Sequence, residues 1–81
     1  MNFGKAIENL KDGNKVARKG WNGKGMFLVY VSSGEWSVNP EVHKSSLHLL
    51  PWIGMKTADN KFIPWLASQS DVLAEDWEVI E

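Results

Sequence analysis

The chain has 81 residues, of which 43% are hydrophobic and 23% are charged, and its net charge is −1. This composition is typical of one small globular domain and excludes a disordered, collagen-like or membrane-embedded protein. The sequence contains no cysteine, which excludes disulfides, thiolate nucleophiles and cysteine zinc sites. The longest apolar run, Met26 to Val31, is far shorter than the about 20 residues that a membrane helix needs. No secretion signal is evident, and we expect a cytoplasmic protein.

The first predicted element is a helix close to the amino terminus. Asn2 suits the cap of a helix from Phe3 to about Lys11, because apolar residues recur in this segment at helical spacing. Gly13 suits the left-handed backbone that commonly ends a helix. We therefore expect one apolar stripe of this helix to face the rest of the domain.

Two strands and a glycine-rich loop follow. Residues 15–19 alternate in polarity and predict a strand, whereas residues 20–25 contain three glycines and predict a loop with left-handed positions. Residues 26–31 predict a second strand that does not alternate. Strands of this kind are covered on both faces, so we expect the helix on one face and another subunit on the other.

The next segments predict a hairpin. Residues 41–50 are ambiguous and fit an irregular loop, a short helix or part of a strand. Residues 52–56 predict a strand, residues 57–61 a turn, and residues 62–63 a returning strand that ends before Pro64.

The last elements are a short helix and a strand. Ser68, followed three residues later by Asp71, resembles a capping box and predicts a helix to about Ala74. Residues 76–80 predict the final strand. The sequence thus predicts an α+β fold: a single domain over residues 1–81, with an antiparallel sheet of four to five strands and two short helices.

Charge is unevenly distributed, although its total is near zero. Residues 1–24 contain six basic and two acidic side chains, whereas residues 71–81 contain five acidic side chains and no basic one. Either these ends pair, across the fold or across a subunit contact, or the basic part binds an anion. The sequence pI of about 6.1 argues against extended nucleic acid as a partner.

Residues with catalytic or metal-binding chemistry do not form a familiar pattern. His43 and His48 are five residues apart, which fits neither one helix face nor a zinc helix. The serines lie in no nucleophile-elbow motif. Asp71, Glu75 and Asp76 could form a carboxylate pair, but helix capping or solvated charge explains them better. We therefore expect a protein that is not an enzyme and has no metal or cofactor.

The glycine-rich loop has an order of glycines that differs from phosphate-binding and dinucleotide-binding motifs. Two interpretations remain open at this stage. It is either a hairpin loop or a nest of backbone N–H groups for an anion, assisted by Arg18, Lys19 or Lys24.

The five tryptophans stand against a single tyrosine, and a core of this size holds two or three of them. Trp21 and Trp65 are flanked by glycine or proline, so we expect them at the edges of elements. An indole at an edge beside basic and amide side chains suits stacking on a nucleobase. Filling of a subunit interface, where tryptophan is enriched, is the other interpretation.

Two stretches carry a resemblance to a known family: ARKGWNGKGM at 17–26, and MKTAD at 55–59 together with PWLASQSDVLAEDW at 64–77. With FGKA at 3–6, they resemble the second family of Thoeris anti-defence proteins, which are small phage proteins. The resemblance spans nearly the whole chain apart from residues 33–50.

The resemblance implies a sponge, meaning a protein that binds a signalling molecule and holds it without cleaving it. The implied ligand is a cyclised ADP-ribose made by bacterial TIR-domain immune enzymes in the cytoplasm of the infected host. Some relatives are expected to capture cyclic oligonucleotides. The implied assembly is a homotetramer, a dimer of dimers, with pockets between subunits. This assembly agrees with the small size of the chain, which leaves little depth for a pocket.

The resemblance also suggests site residues where the motifs match. Trp21 would stack on adenine, Asn22 would bond a base or ribose, and Arg18 would bind phosphate unless it pairs with Asp71 or Glu75. The implied opposite wall and floor comprise Trp65, Ser68, Gln69 and Asp71, with Met55 and Thr57 beneath. Asp71 would accept ribose hydroxyls. The alternative functions are a sponge for cyclic oligonucleotide signals and a phage protein-interaction module that uses exposed tryptophans.

Overall fold

The computed structural model describes residues 1–21, 24–39 and 47–80. Its elements are α1 (Phe3–Lys11), β1 (Val16–Arg18), β2 (Phe27–Val31), β3 (Trp52–Lys56), β4 (Phe62–Pro64), α2 (Gln69–Leu73) and β5 (Trp77–Val79). Within the described residues, the five strands form one antiparallel sheet in the order β4-β3-β2-β1-β5. The predicted α+β fold is therefore confirmed. Neither of these two helices has the length and apolar character needed to cross a membrane.

Helix α1 forms where the sequence predicts it, because both of its ends are capped locally. The Asn2 side chain accepts the backbone N–H of Lys5 at 2.9 Å, and Gly13 takes a left-handed φ of 91° just beyond the last turn. The helix buries Ala6 and Leu10 completely. It packs across β1, β2 and β5, so it covers one face of one half of the sheet.

The strand register places the core on that same face. Val16 lies opposite Leu28, Leu28 lies opposite Met55, and Met55 lies opposite Ile63. Directly paired residues of antiparallel strands point to the same side, so these residues form one row on the face of the sheet that α1 packs against. Val16, Leu28 and Met55 are buried, but Ile63 is exposed because it lies beyond the reach of the helix.

The opposite face of the sheet carries a second set of rings, which we call the Trp52 cluster: Trp36, Trp52 and Phe62. Trp52 lies 5.7 Å from Phe62 and 6.4 Å from Trp36, measured between ring centroids. The Phe62 ring lies across Gly54, where a Cβ atom would overlap it. The N–H of the Trp36 indole donates to the main-chain oxygen of Leu50 at 3.0 Å.

This arrangement tests in part the prediction that both faces of β2 are covered. Helix α1 covers Leu28 on one face. On the other face, Val31 is buried, while Phe27 and Val29 are only half-buried. Cover by a second subunit stays a prediction.

Several predicted boundaries were wrong by a residue. Pro64 is the last residue of β4 instead of lying beyond it, because it pairs with Gly54 from an edge strand, where its missing N–H is tolerated. Met26 lies outside β2, because its N–H donates to the oxygen of Trp21 and closes the loop. Of the ambiguous segment 41–50, residues 47–50 are irregular, and residues 41–46 lie outside the described residues.

Candidate ligand-binding site

Four aromatic rings meet at the amino-terminal end of β5, and we call them the Trp77 cluster: Phe3, Trp21, Trp65 and Trp77. Trp77 is buried, and Trp21 and Trp65 stand edge-on to it at 5.4 Å and 5.9 Å between centroids. The Trp21 and Trp65 rings are 6.4 Å apart and inclined at 77° to each other. Such edge-to-face contacts are favourable. Trp77 is thus the core member, and Trp21 and Trp65 are half-buried members at the boundary of the core.

Trp21 is held by the glycine-rich loop that follows β1. Its main-chain N–H donates to the main-chain oxygen of Arg18 at 2.9 Å, and its main-chain oxygen accepts the backbone N–H groups of Lys24 and Met26. Gly20 and Gly25 adopt φ values of 94° and 72°, which residues with a Cβ atom rarely adopt. The predicted left-handed positions are confirmed for these two glycines. Asn22, a predicted ligand-binding residue, lies outside the described residues.

Trp65 begins a connection that crosses from β4 at one edge of the sheet to β5 at the other. Its N–H donates to the oxygen of Ile53 at 3.0 Å, which extends the pairing of β4 with β3. Ser68 then caps α2: its Oγ accepts the N–H of Asp71 at 3.1 Å, and its own N–H donates to Asp71 Oδ2 at 3.2 Å. The predicted capping box is confirmed.

Asp71 also connects this helix to the aromatic rings and to the sheet. Its main-chain oxygen accepts the indole N–H of Trp77 at 2.9 Å. Its Oδ1 accepts Arg18 Nη1 at 3.0 Å, and Asp76 Oδ1 accepts Arg18 Nε at 2.9 Å. The acidic and basic ends of the chain therefore pair across the fold here. Arg18 pairs with Asp71 as one interpretation predicted, but its second partner is Asp76 and not Glu75.

These contacts change the acidity of all three groups. Hydrogen bonds to Asp76 and then to Asp71 raise the pKa of Arg18. Burial raises the pKa of Asp71, but the hydrogen bonds from Ser68 and Arg18 outweigh this effect and hold the pKa below its ordinary value. The hydrogen bond from Arg18 lowers the pKa of Asp76. The cluster therefore carries two ionised carboxylates and one guanidinium at neutral pH.

The remaining predicted site residues lie in different surroundings. Met55 belongs to the core cluster against which Trp21 and Trp65 pack. Gln69 is exposed at the start of α2. Thr57 lies in the turn between β3 and β4, where its hydroxyl accepts the N–H of Lys61 at 2.9 Å and stabilises the turn. The structure thus links Arg18, Trp21, Trp65, Ser68 and Asp71 through contacts, with Met55 beneath.

Sequence reasoning assigned no role at the site to Asp76 and Trp77, which join the two motifs. In the register of β5 with β1, Arg18 lies opposite Trp77, so Asp76 comes next to the guanidinium. That pairing joins residues almost sixty positions apart, and the only signal was that both residues fall inside the second matched stretch. Among the described residues, no group of His, Cys, Asp or Glu side chains has the arrangement of a metal site; His48 is exposed, and His43 lies outside them.

The comparison with known families covers this whole arrangement. Residues 1–80 match the family described as the Thoeris anti-defense 2-like domain. The chain belongs to this family. It is 44% identical over 91 residues to Thoeris anti-defense 2 of Bacillus phage SP01, with 99% of this chain and 94% of that protein covered. The Thoeris anti-defense 2-like match confirms the family inferred from the two motifs and supports a role in phage anti-defence against Thoeris.

Proposed function

We propose that this protein binds a cyclised ADP-ribose signal of Thoeris defence and sequesters it without cleaving it. The observation that carries the proposal is the position of Trp21 and Trp65, which are half-buried around Trp77. The Trp77 indole donates to the main-chain oxygen of Asp71 and so joins this cluster to the start of α2, where Ser68, Gln69 and Asp71 form what we call the polar wall. The face of an indole can stack on adenine. The Ser68 hydroxyl and the Gln69 side-chain amide can form hydrogen bonds with ribose or with the edge of a base. Membership of the Thoeris anti-defense 2-like family supports a signal of Thoeris defence as the ligand.

Sequestration of this kind needs affinity and no turnover. A nanomolar site requires a binding free energy of about −12 kcal/mol. Stacking on aromatic side chains contributes about 1–3 kcal/mol per base, and each hydrogen bond to a charged group adds about 1.5–3 kcal/mol. A dinucleotide-sized ligand with two phosphates can reach the total without a nucleophile or a general base.

We further propose that the pocket closes between subunits of a homo-oligomer, arranged as a dimer of dimers. Two rings inclined at 77° cannot sandwich one flat base. The described part of a single chain also encloses no cavity. Leu66 and Leu73, on either side of the polar wall, are 91% and 76% exposed. A second copy that packed on these apolar side chains would bury them and supply the missing wall.

The proposed ligand arises inside the infected cell, so the protein would act in the host cytoplasm. The test is a titration of the purified protein with the cyclised ADP-ribose isomers, followed by heat denaturation and chromatography of the released molecule. We expect tight binding and recovery of intact ligand. Recovery of altered ligand would make the protein an enzyme, and binding of no isomer would contradict the proposal.

The Trp52 cluster favours a second candidate function, a surface for another protein. Phe62 is 50% exposed and Leu50 is 71% exposed on or beside this cluster. A failure to bind cyclised ADP-ribose would be followed by titration with cyclic oligonucleotides, the other signal class that some relatives are expected to capture. Failure with both ligand classes would make the protein-interaction module the leading function.

A further inference from the structure

The guanidinium of Arg18 is already occupied by carboxylates. Its Nε and Nη2 donate to the two oxygens of Asp76, at 2.9 Å and 3.5 Å, and its Nη1 donates to Asp71 at 3.0 Å. Arginine has five N–H donors in a fixed fork, so three of them are used inside the chain. With two carboxylates and one guanidinium, the group has a net charge of −1, which repels a phosphate.

We propose that Arg18 is a positioning residue, which ties α2 and β5 to β1 and holds the polar wall against Trp77, and that it does not bind the phosphates itself. This inference rests on the proposed function, because the wall it holds is the one that would contact the nucleotide. It replaces the phosphate-binding role that the motif suggested for Arg18.

Helix α2 needs such a tie because it has little packing of its own. It spans five residues, Gln69–Leu73, and none of them is buried. A helix of this length is not stable alone in water. Asp71 makes the hydrogen bonds that hold the helix in place. One carboxylate oxygen accepts from Arg18, the other accepts from Ser68, and the main-chain oxygen accepts from the Trp77 indole. Loss of Arg18 removes the anchor that reaches β1.

If Arg18 does not bind the phosphates, two other basic side chains near Trp21 can bind them. Lys19 and Lys24 flank the glycine-rich loop on either side of Trp21, and both are exposed. The N–H of Lys24 donates to the oxygen of Trp21 at 2.9 Å, which fixes its backbone next to the stacking residue. Within the described residues, neither lysine forms an ion pair.

Asp76→Asn gives a test in which the two roles predict opposite signs. The substitution removes one negative charge and one of the two oxygens that accept from Arg18, so it frees one N–H group of the guanidinium. A phosphate-binding Arg18 would then hold the anionic ligand more tightly. A positioning Arg18 would keep only a weaker, uncharged second partner, and we expect the affinity to fall about fivefold, the lower end of typical coupling between groups that do not both touch the ligand. The probe is the cyclised ADP-ribose isomer that binds the unmodified chain most tightly.

Two further variants complete the design. Glu75→Gln makes the same change of charge next to Asp76, at an exposed side chain that forms no ion pair with the residues that the structure describes, and we expect unchanged affinity. Arg18→Lys keeps the positive charge, but one ammonium cannot replace the fork that spans two carboxylates. We expect Arg18→Lys to weaken binding as much as Arg18→Gln does. If Arg18 instead bound a phosphate of the ligand, lysine would largely preserve that contact, and Arg18→Lys would weaken binding less than Arg18→Gln.

A measurement without ligand separates this inference from the proposed function. Amide hydrogen exchange of residues 69–73 should become faster in Arg18→Lys and in Asp76→Asn, but not in Glu75→Gln. If the unmodified chain binds no isomer, the proposed function fails and the exchange rates alone decide the positioning role. Tighter binding by Asp76→Asn, or unchanged exchange in α2 of the Arg18→Lys variant, would overturn the inference.

Discussion

The two aromatic clusters lie on opposite faces of one sheet and differ in what surrounds their rings. In both clusters, half-buried indoles meet other rings edge-on. The Trp77 cluster borders a capped helix end and the ion pairs of Arg18. The polar contact found in the Trp52 cluster is a hydrogen bond from Trp36 to a main-chain oxygen. Indole exposure is therefore alike in the two clusters, and the fixed polar groups are the feature that favours the Trp77 cluster as the proposed ligand site.

The substitution with the largest expected effect on stability removes the buried ring of the Trp77 cluster. Trp77→Ala should lower the free energy of unfolding by about 3–5 kcal/mol, because this side chain is 2% exposed. That is much of the total stability of a small domain. Trp52→Ala, at a half-buried ring of the other cluster, should cost less. Urea unfolding followed by circular dichroism measures both, and an equal cost would break the distinction between core and surface rings.

The next effect concerns binding and separates the two clusters directly. Trp21→Ala should weaken binding of cyclised ADP-ribose about 10- to 100-fold, the loss expected for one stacked base, while the protein stays folded. Trp36→Ala is the matched control, since Trp36 is also half-buried and also stands edge-on to another indole. Calorimetric titration with circular dichroism on each variant gives both readouts. An unfolded Trp21→Ala protein would instead support the interpretation that Trp21 fills the core.

A smaller effect tests the packing of the Trp52 cluster alone. Gly54→Ala should be destabilising by about 1 kcal/mol, because the new methyl group displaces the Phe62 ring. In a Phe62→Ala background, the same substitution should be stabilising by about 0.5–1 kcal/mol, since alanine costs less than glycine in a strand. Ligand affinity should not change in either case. A fall in affinity would show that the two faces are coupled.

The smallest expected effect is the response to acid of the polar wall. Asp71 and Asp76 have pKa values below the ordinary 3.8 in the folded chain. A lowered pKa contributes stability above the unfolded value, and this contribution is lost as pH falls through the folded value. The free energy of unfolding should therefore decline below about pH 4, and less steeply in Asp76→Asn than in Glu75→Gln. Urea midpoints at about pH 5 and about pH 3 measure this, and equal declines would contradict it.

The parts of this fold that could be predicted from the sequence are those that adjacent residues determine. The Asn2 cap, the Ser68–Asp71 capping box and the left-handed Gly13 and Gly20 depend on a few neighbouring positions. The site as a whole depends on β5 pairing with β1 at the far edge of the sheet. No local pattern specifies that pairing, so the pairing of Arg18 with Asp71 was one of two predicted alternatives, and the contact with Asp76 and the central place of Trp77 were missed.

The proposed nucleotide site is at the Trp77 cluster and not at the Trp52 cluster. The most direct measurement follows the five indole N–H resonances by nuclear magnetic resonance while a cyclised ADP-ribose isomer is added. We expect large shifts for Trp21 and Trp65, with Trp36 and Trp52 nearly unchanged. Large shifts confined to Trp36 and Trp52 would contradict it and move the binding site to the opposite face of the sheet.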